Sequence, residues 1–263
     1  METTYTWEKQ NEKKIFGGEA LLHIKDVAED ALESILQDKE LGLSFQKEEA
    51  GKLIYFAAYT DDGMRIVVMH QDKPLHTEEA IDGARANYRW PEAVDAAEKH
   101  KSHIVVAVGP VDEEDEIDPK ELAKVFVKTM AALSKWDAVL ALRVCGVLEK
   151  PEAYRMLAEH AFTEGIFPLL NVVFVGVYSL DGAHVCGYTV GLEEFGHEEI
   201  EIAQSKKPAM EVVIFLYDIA GYLISSGATL KEGETIGLEE GQGFRITKSA
   251  GLSMTGETLK IHF

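Results

Sequence analysis

Two imidazoles three positions apart, His100 and His103, give the nearest approach to a metal-ligand spacing in this chain. On one helix that interval would set both rings on one face, as zinc ligation needs. No cysteine or third histidine stands close enough to complete a set, and Ser102-His103 falls where a helix gives way to the strand Ile104–Val108, so no metal is expected. Position alone puts His100 on the surface at a helix C-terminus, where a protonated ring complements the dipole, and His103 half-buried against backbone. Just upstream, Asn87, Tyr88 and Arg89 are polar groups at a helix break, placed either to cap it or to line a pocket. Trp90 heads an i, i+3, i+4, i+7 stripe with Ala93, Val94 and Ala97, which packs a helix on a sheet.

A second constellation follows Tyr188. Glu193, Glu194 and His197 share a short turn-like element, and a carboxylate beside an imidazole supports general acid–base chemistry once burial shifts one of them. Glu198, Glu199 and Glu201 come directly after and read as a solvated acidic face. Cys145 and Cys186 lack a basic neighbour that would lower a thiol pKa, so each reads as a small hydrophobe beside a strand. His197-Glu198-Glu199-Ile200-Glu201 lacks the second histidine of a zincin helix, and the glycines of the tail lack the Gly-Lys-Ser/Thr ending of a phosphate loop. There is no Gly-x-Ser-x-Gly elbow, and Gly241-Gln242-Gly243 follows no strand-to-helix unit. No cofactor is expected. If the chain forms a ligand cleft, its candidate lining is Asn87, Trp90, His103 and Tyr188.

The elements that must position these residues follow from periodicity. The stretch 1–18 reads as a polar arm ending in Gly17-Gly18, and an α+β half spans 19–111. Within it, Ala20–Ile24 is a strand, Asp26 opens a helix through Leu36, and 43–47 returns as a strand. Leu53–Tyr59 and Met64–Met69 flank Asp61-Asp62-Gly63 as a hairpin. Two helical pieces break at Gly83 or at Trp90-Pro91, with Pro91 at a first helical position, before the strand 103–108. An acidic linker and connecting helix occupy 112–136, opened by Asp118-Pro119 after Asp112-Glu113-Glu114-Asp115-Glu116. The segment 137–263 repeats the order: strand 138–144, helix 151–162, strand 171–178, an Asp181-Gly182 turn, strand 184–190, helix 209–224 and a glycine-rich β tail. The fold class is therefore α+β, read as two ferredoxin-like βαββαβ halves with mixed or antiparallel sheets.

Five separated blocks resemble a bacterial family known as domain of unknown function 4261. They are Asn87–Ala93, His100–Val106, Tyr188–Gly196, Phe215–Ala220 and Leu230–Gly237. The resemblance runs from about Ala20 onward. It implies a bacterial, cytoplasmic origin and brings no activity, cofactor or assigned residue.

Composition narrows function. The 263 residues are 46% hydrophobic, enough for an ordinary core, and 46 acidic against 26 basic residues leave a net charge of -20. Such a charge repels phosphate backbones and anionic membranes and steers a basic partner inward, so neither nucleic acid nor membrane is expected. Two cysteines make no disulfide framework, Met1–Lys14 carries no signal-peptide pattern, and the longest apolar run noted, 167–178, is strand-length; the reducing cytoplasm is expected. The leading expectation is a non-enzymatic interaction protein with an acidic surface for a basic protein. The competing one is an enzyme or small-molecule binder with a cleft between the halves. A structural subunit that forms a homo-oligomer is the third.

Overall fold

A computed structural model describes residues 15–263, apart from 40, 51–52, 113–114, 180, 238–240 and 242. Most of the expected arm, 1–14, and part of the acidic run, 113–114, lie outside the described residues, as does Gln242. The end of that arm is already strand. β1 (Phe16–Leu22) sits in the middle of a seven-stranded sheet, between β5 (Ser102–Pro110) and β6 (Val139–Val144). The absent side chain of Gly18 permits this. A Cβ there would stand 2.7 Å from the Arg143 carbonyl oxygen and 2.9 Å from the Phe126 ring.

The chain leaves β1 through α1 (Glu29–Leu36) and then runs as a meander, β2 (Gln46–Ala50), β3 (Leu53–Tyr59) and β4 (Met64–Gln71). The β3–β4 hairpin turns at Gly63, where φ is +84°, and the Thr60 hydroxyl accepts the Met64 N–H at 3.0 Å. Two short helices, α2 (Thr77–Ala86) and α3 (Ala93–Lys99), lead to β5. Pro91 lies in the turn before α3, two residues ahead of the helix rather than at its first position. α4 (Pro119–Leu133) opens as its sequence predicts: the Asp118 carboxylate accepts the Lys120 N–H and Pro119 needs no donor. β6 and β7 (Val147–Glu149) complete the first sheet, followed by α5 (Pro151–Thr163) and α6 (Leu169–Val172).

The second sheet holds β8 (Phe174–Ser179), β9 (Val185–Val190), β10 (Ile200–Ser205), β11 (Thr235–Ile236), β12 (Phe244–Ala250) and β13 (Glu257–Ile261). α7 (Ala209–Ser226) packs on its β8–β9 end. β10 and β13 pair in parallel, so this sheet is mixed.

The α+β class holds, but the strand order is not that of ferredoxin-like halves. In the first sheet it runs β2-β3-β4-β5-β1-β6-β7, and every pair is antiparallel. A split βαβ half keeps the two strands joined by a helical crossover parallel, with another strand between them, whereas here β4 and β5, joined through α2 and α3, lie side by side and antiparallel. β6 and β7, expected in the second half, belong to the first sheet. Each face has its own cover. Ala20, Leu22, Ile104 and Val106 meet Phe126, Met130 and Leu133 of α4, whereas Leu21, Ala141 and Leu148 meet the alanines of α2 and α3. The α4 side continues without a break into Ile200 and Ile202 of the second sheet and Val212 and Leu216 of α7, so one core serves both sheets.

Candidate binding cleft

Each of the four side chains expected to share a cleft has partners of its own, and Asn87 and Trp90 sit together at the end of α2, where the Trp90 N–H donates to the Asn87 carbonyl at 3.1 Å. Asn87 is buried where α2 ends and donates to the Leu148 carbonyl at 2.8 Å and to Glu149 Oε2 at 3.1 Å, so it ties the helix to β7. Trp90 packs among the alanines of α2 and α3. His103 donates from Nδ1 to the Lys73 carbonyl at 2.8 Å, and burial lowers its pKa. Tyr188 lies in the second sheet beside Tyr178, over Gly176, where a Cβ would come within 2.2 Å of its ring. His100, expected on the surface, is buried, with Nδ1 donating to the Ala97 carbonyl and Nε2 accepting the Leu75 N–H. Both of its nitrogens are committed to backbone.

A different set of residues converges where the sheets meet. A cleft of about 410 Å³ opens between Phe16 and Gly17 of β1, Phe126 of α4, the β6–β7 turn, the end of β9, and the loop before β13. The β6–β7 turn is Cys145-Gly146, with φ of +52° and +73°, the signature of a two-residue type I′ hairpin. Cysteine is an uncommon residue there. Its thiol donates to the Val172 carbonyl at 3.1 Å, and burial pushes the thiol pKa far above its ordinary value, so it stays protonated. Against it lies Gly191, at φ +112°. A Cβ on Gly191 would stand 2.3 Å from the Val172 oxygen and 2.9 Å from Cys145 Sγ. The first sheet's hairpin and the second sheet's β9 meet through this glycine.

Two glutamates pin the walls. Glu199, 5% exposed, accepts N–H groups from Gly191 at 2.7 Å and Leu192 at 2.8 Å, and the Thr189 hydroxyl at 2.6 Å. A longer bond from the Glu193 N–H, at 3.4 Å, completes the cradle at the 3₁₀ turn Glu193–Phe195. Backbone N–H groups in such a nest suit an anion, and here the chain's own carboxylate fills it. Burial raises the Glu199 pKa above the ordinary glutamate range, against the pull of those donors.

Glu201, 1% exposed, holds the opposite wall. It accepts N–H groups from Leu252 at 2.9 Å, Ser253 at 2.7 Å and Met254 at 3.1 Å, and the Thr258 hydroxyl at 3.1 Å. Lys260, its neighbour across the parallel β10–β13 pair, adds an ion pair at 2.9 Å. Burial would raise the Glu201 pKa too, but the N–H groups and the Lys260 ammonium together hold it below the ordinary range. The expectation that Glu199 and Glu201 form a solvated face is therefore corrected. The alternation Glu199-Ile200-Glu201-Ile202 is a strand period, a signal that both carboxylates share one side at the head of a strand.

Behind Cys145 lies a further polar cluster. Glu149 pairs with Arg89, whose guanidinium sits 5.2 Å from the centre of the Phe174 ring, joining the α2–α3 connection to β8. Burial raises the Glu149 pKa and drives the Tyr217 hydroxyl up to about 12. The charged side chains lining the cleft itself are Glu193, Glu194 and Glu199; among its described lining there is no lysine, arginine or histidine. Glu193 and Glu194 are exposed at its mouth.

No curated protein and no solved structure matches the chain. The family match covers the second sheet from the latter half of β9 to β13, including both pinning glutamates and α7, and leaves the resembling blocks at 87–93 and 100–106 outside. Residues 188–262 match the family described as Domain of unknown function (DUF4261).

Proposed function

We propose that the protein is a non-catalytic binding protein whose inter-sheet cleft receives a cationic group, a lysine or arginine side chain, from a basic protein partner. One observation carries this reading: every charged residue in the described lining of the cleft is a glutamate, in a chain of net charge -20. Carboxylates at the mouth of a cleft with low-dielectric walls concentrate the field and steer a cation inward. The apolar lining, Phe16, Phe126, Val144 and Val172, suits the alkyl stem that carries such a cation. Catalysis is the weaker reading because the reactive groups are already engaged. Glu199 is bound by N–H donors and the Cys145 thiol is protonated and bonded to a carbonyl. Cys145 and Cys186 are both free thiols, which fits a reducing cytoplasm.

Calorimetric titration with a lysine- and arginine-rich peptide tests the proposal. Binding is expected at low salt, weakening as salt rises, and a Glu193→Gln/Glu194→Gln variant should bind about tenfold more weakly. Peptide binding that ignores both salt and the double variant would sink the reading. A simple alkylamine that binds as tightly as the peptide would replace the protein partner with a small-molecule cation in the same cleft.

A further inference from the structure

α7 is apolar almost all round, with a mean hydropathy of 1.5, and 39% of it is buried. Its inward side is accounted for. Val212 and Leu216 press on Gly187 of β9, where a Cβ would come within 2.6 Å and 2.9 Å of them, and Phe215 stacks on Phe263 with ring centres 4.1 Å apart. Its outward side is not. Met210 is 66% exposed, Ile214 52% and Tyr222 50%, and with Asp218 they form one line at four-residue spacing. Such a line is the i±4n ridge that packs into the matching groove of another helix at a crossing angle of about -50°.

We infer that this ridge is the contact face of a symmetric dimer, its occupant a second copy of this chain. Three features select that occupant. The ridge is centred on position 216, so a two-fold axis there sets Met210 of one copy against Tyr222 of the other, and Ile214 against the aliphatic part of Asp218. Charge permits the approach. Between 203 and 229 the chain carries Lys206, Lys207, Glu211 and Asp218, which sum to zero within a chain of net charge -20. The antiparallel arrangement also brings Lys206 of each copy to the carbonyl end of the other copy's helix, at Ser225–Gly227, where cations are favoured, while Lys207 stays with Glu211 and the Phe263 ring of its own chain. An 18-residue helix is about 27 Å long, so the ridge alone buries less than the roughly 800 Å² per partner of a standard interface, and the dimer should be weak, with Kd about 100 µM. This inference is independent of the cleft and its partner.

Sedimentation equilibrium of the full chain from about 5 µM to about 1 mM tests it. The mass should rise from one chain toward two. Ile214→Lys should raise the midpoint at least tenfold, whereas Asp218→Leu, which removes two carboxylates flanking the axis, should lower it several-fold. A wild-type chain that stays monomeric throughout overturns the inference. So does an Ile214→Lys variant that associates normally, or an Asp218→Leu variant that associates less. Adsorption of the monomer to phosphatidylcholine vesicles through the same residues would assign the face to lipid and overturn it as well. If Ile214→Lys loses its circular dichroism, Met210→Lys, at the most exposed position of the ridge, serves in its place.

Discussion

Glu199 and Glu201 flank one residue, Ile200, and both bury a carboxylate against backbone N–H groups, yet among the described residues only Glu201 has a cation. The difference comes from the strand that lies alongside. β13 places Lys260 next to Glu201, while Glu199 reaches past the end of β10 into a turn that offers donors but no positive charge. Without a cation, burial dominates and the Glu199 carboxyl rises; with Lys260 added to the N–H groups, the Glu201 carboxyl falls. Two chemically identical side chains thus hold opposite walls of one cleft by different electrostatics. Glu201 belongs to an ion pair that is damaging to split, and Glu199 to a neutralisable hydrogen-bond acceptor.

Splitting the pair gives the largest expected effect. Glu201→Ala strands the buried Lys260 ammonium and frees the loop at Leu252–Met254, at a cost of about 3–5 kcal/mol in urea unfolding. Adding Lys260→Met should recover more than half of that loss, since a buried pair exchanged for apolar volume is often neutral. If Glu201→Ala is no worse than the Glu199 substitution below, the comparison fails. Next comes Gly191→Ala, which forces a methyl onto the Val172 carbonyl and Cys145 at a positive φ. Its expected cost is about 2–3 kcal/mol by the same assay, with the Glu199 cradle opened.

Glu199→Gln should be mild, within about 1 kcal/mol near neutrality, because it keeps an acceptor for Gly191 and Leu192 and removes the burden of desolvating a charge. The smallest effect is also the sharpest test, the pH dependence of each substitution. Glu201, with its folded pKa lowered, contributes stability that is present above the ordinary glutamate value of 4.5 and lost as pH falls through its folded pKa. Glu199, with its folded pKa raised, contributes stability that is full below that value and lost as pH rises through its folded pKa. Denaturation of Glu201→Gln should therefore differ most from wild type near neutrality and least in acid. Glu199→Gln should gain on wild type as pH rises. Parallel pH profiles for the two variants would remove the distinction.

Much of the local structure was legible because it depends on near neighbours. The Asp62-Gly63 turn, the Asp118-Pro119 helix start, Pro151 at the head of α5 and the span of α7 all rest on contacts within a few residues. Glu193 and Glu194 were recognisable as paired carboxylates on a turn. Glu201 was not legible as a buried group, since its donors at Leu252, Ser253 and Met254 lie about fifty positions away. Asn87 and His103 drew notice as polar groups at element ends. Their partners, the Leu148 and Lys73 carbonyls, come from another strand and loop, which local spacing does not show.

The sequence by itself determined the α+β class, the acidic balance and most element boundaries, because periodicity, turn chemistry and charge act over one or two turns of chain. Only the tertiary structure decided that β1 lies between β5 and β6, that β6 and β7 join the first sheet, and that a glutamate-lined cleft opens where the two sheets share a core. Strand order is a choice among pairings that satisfy the same backbone groups equally well. What settles it is which side chains can fill the space between sheets, as Gly18 beneath Phe126 and Gly191 beside Cys145 do here.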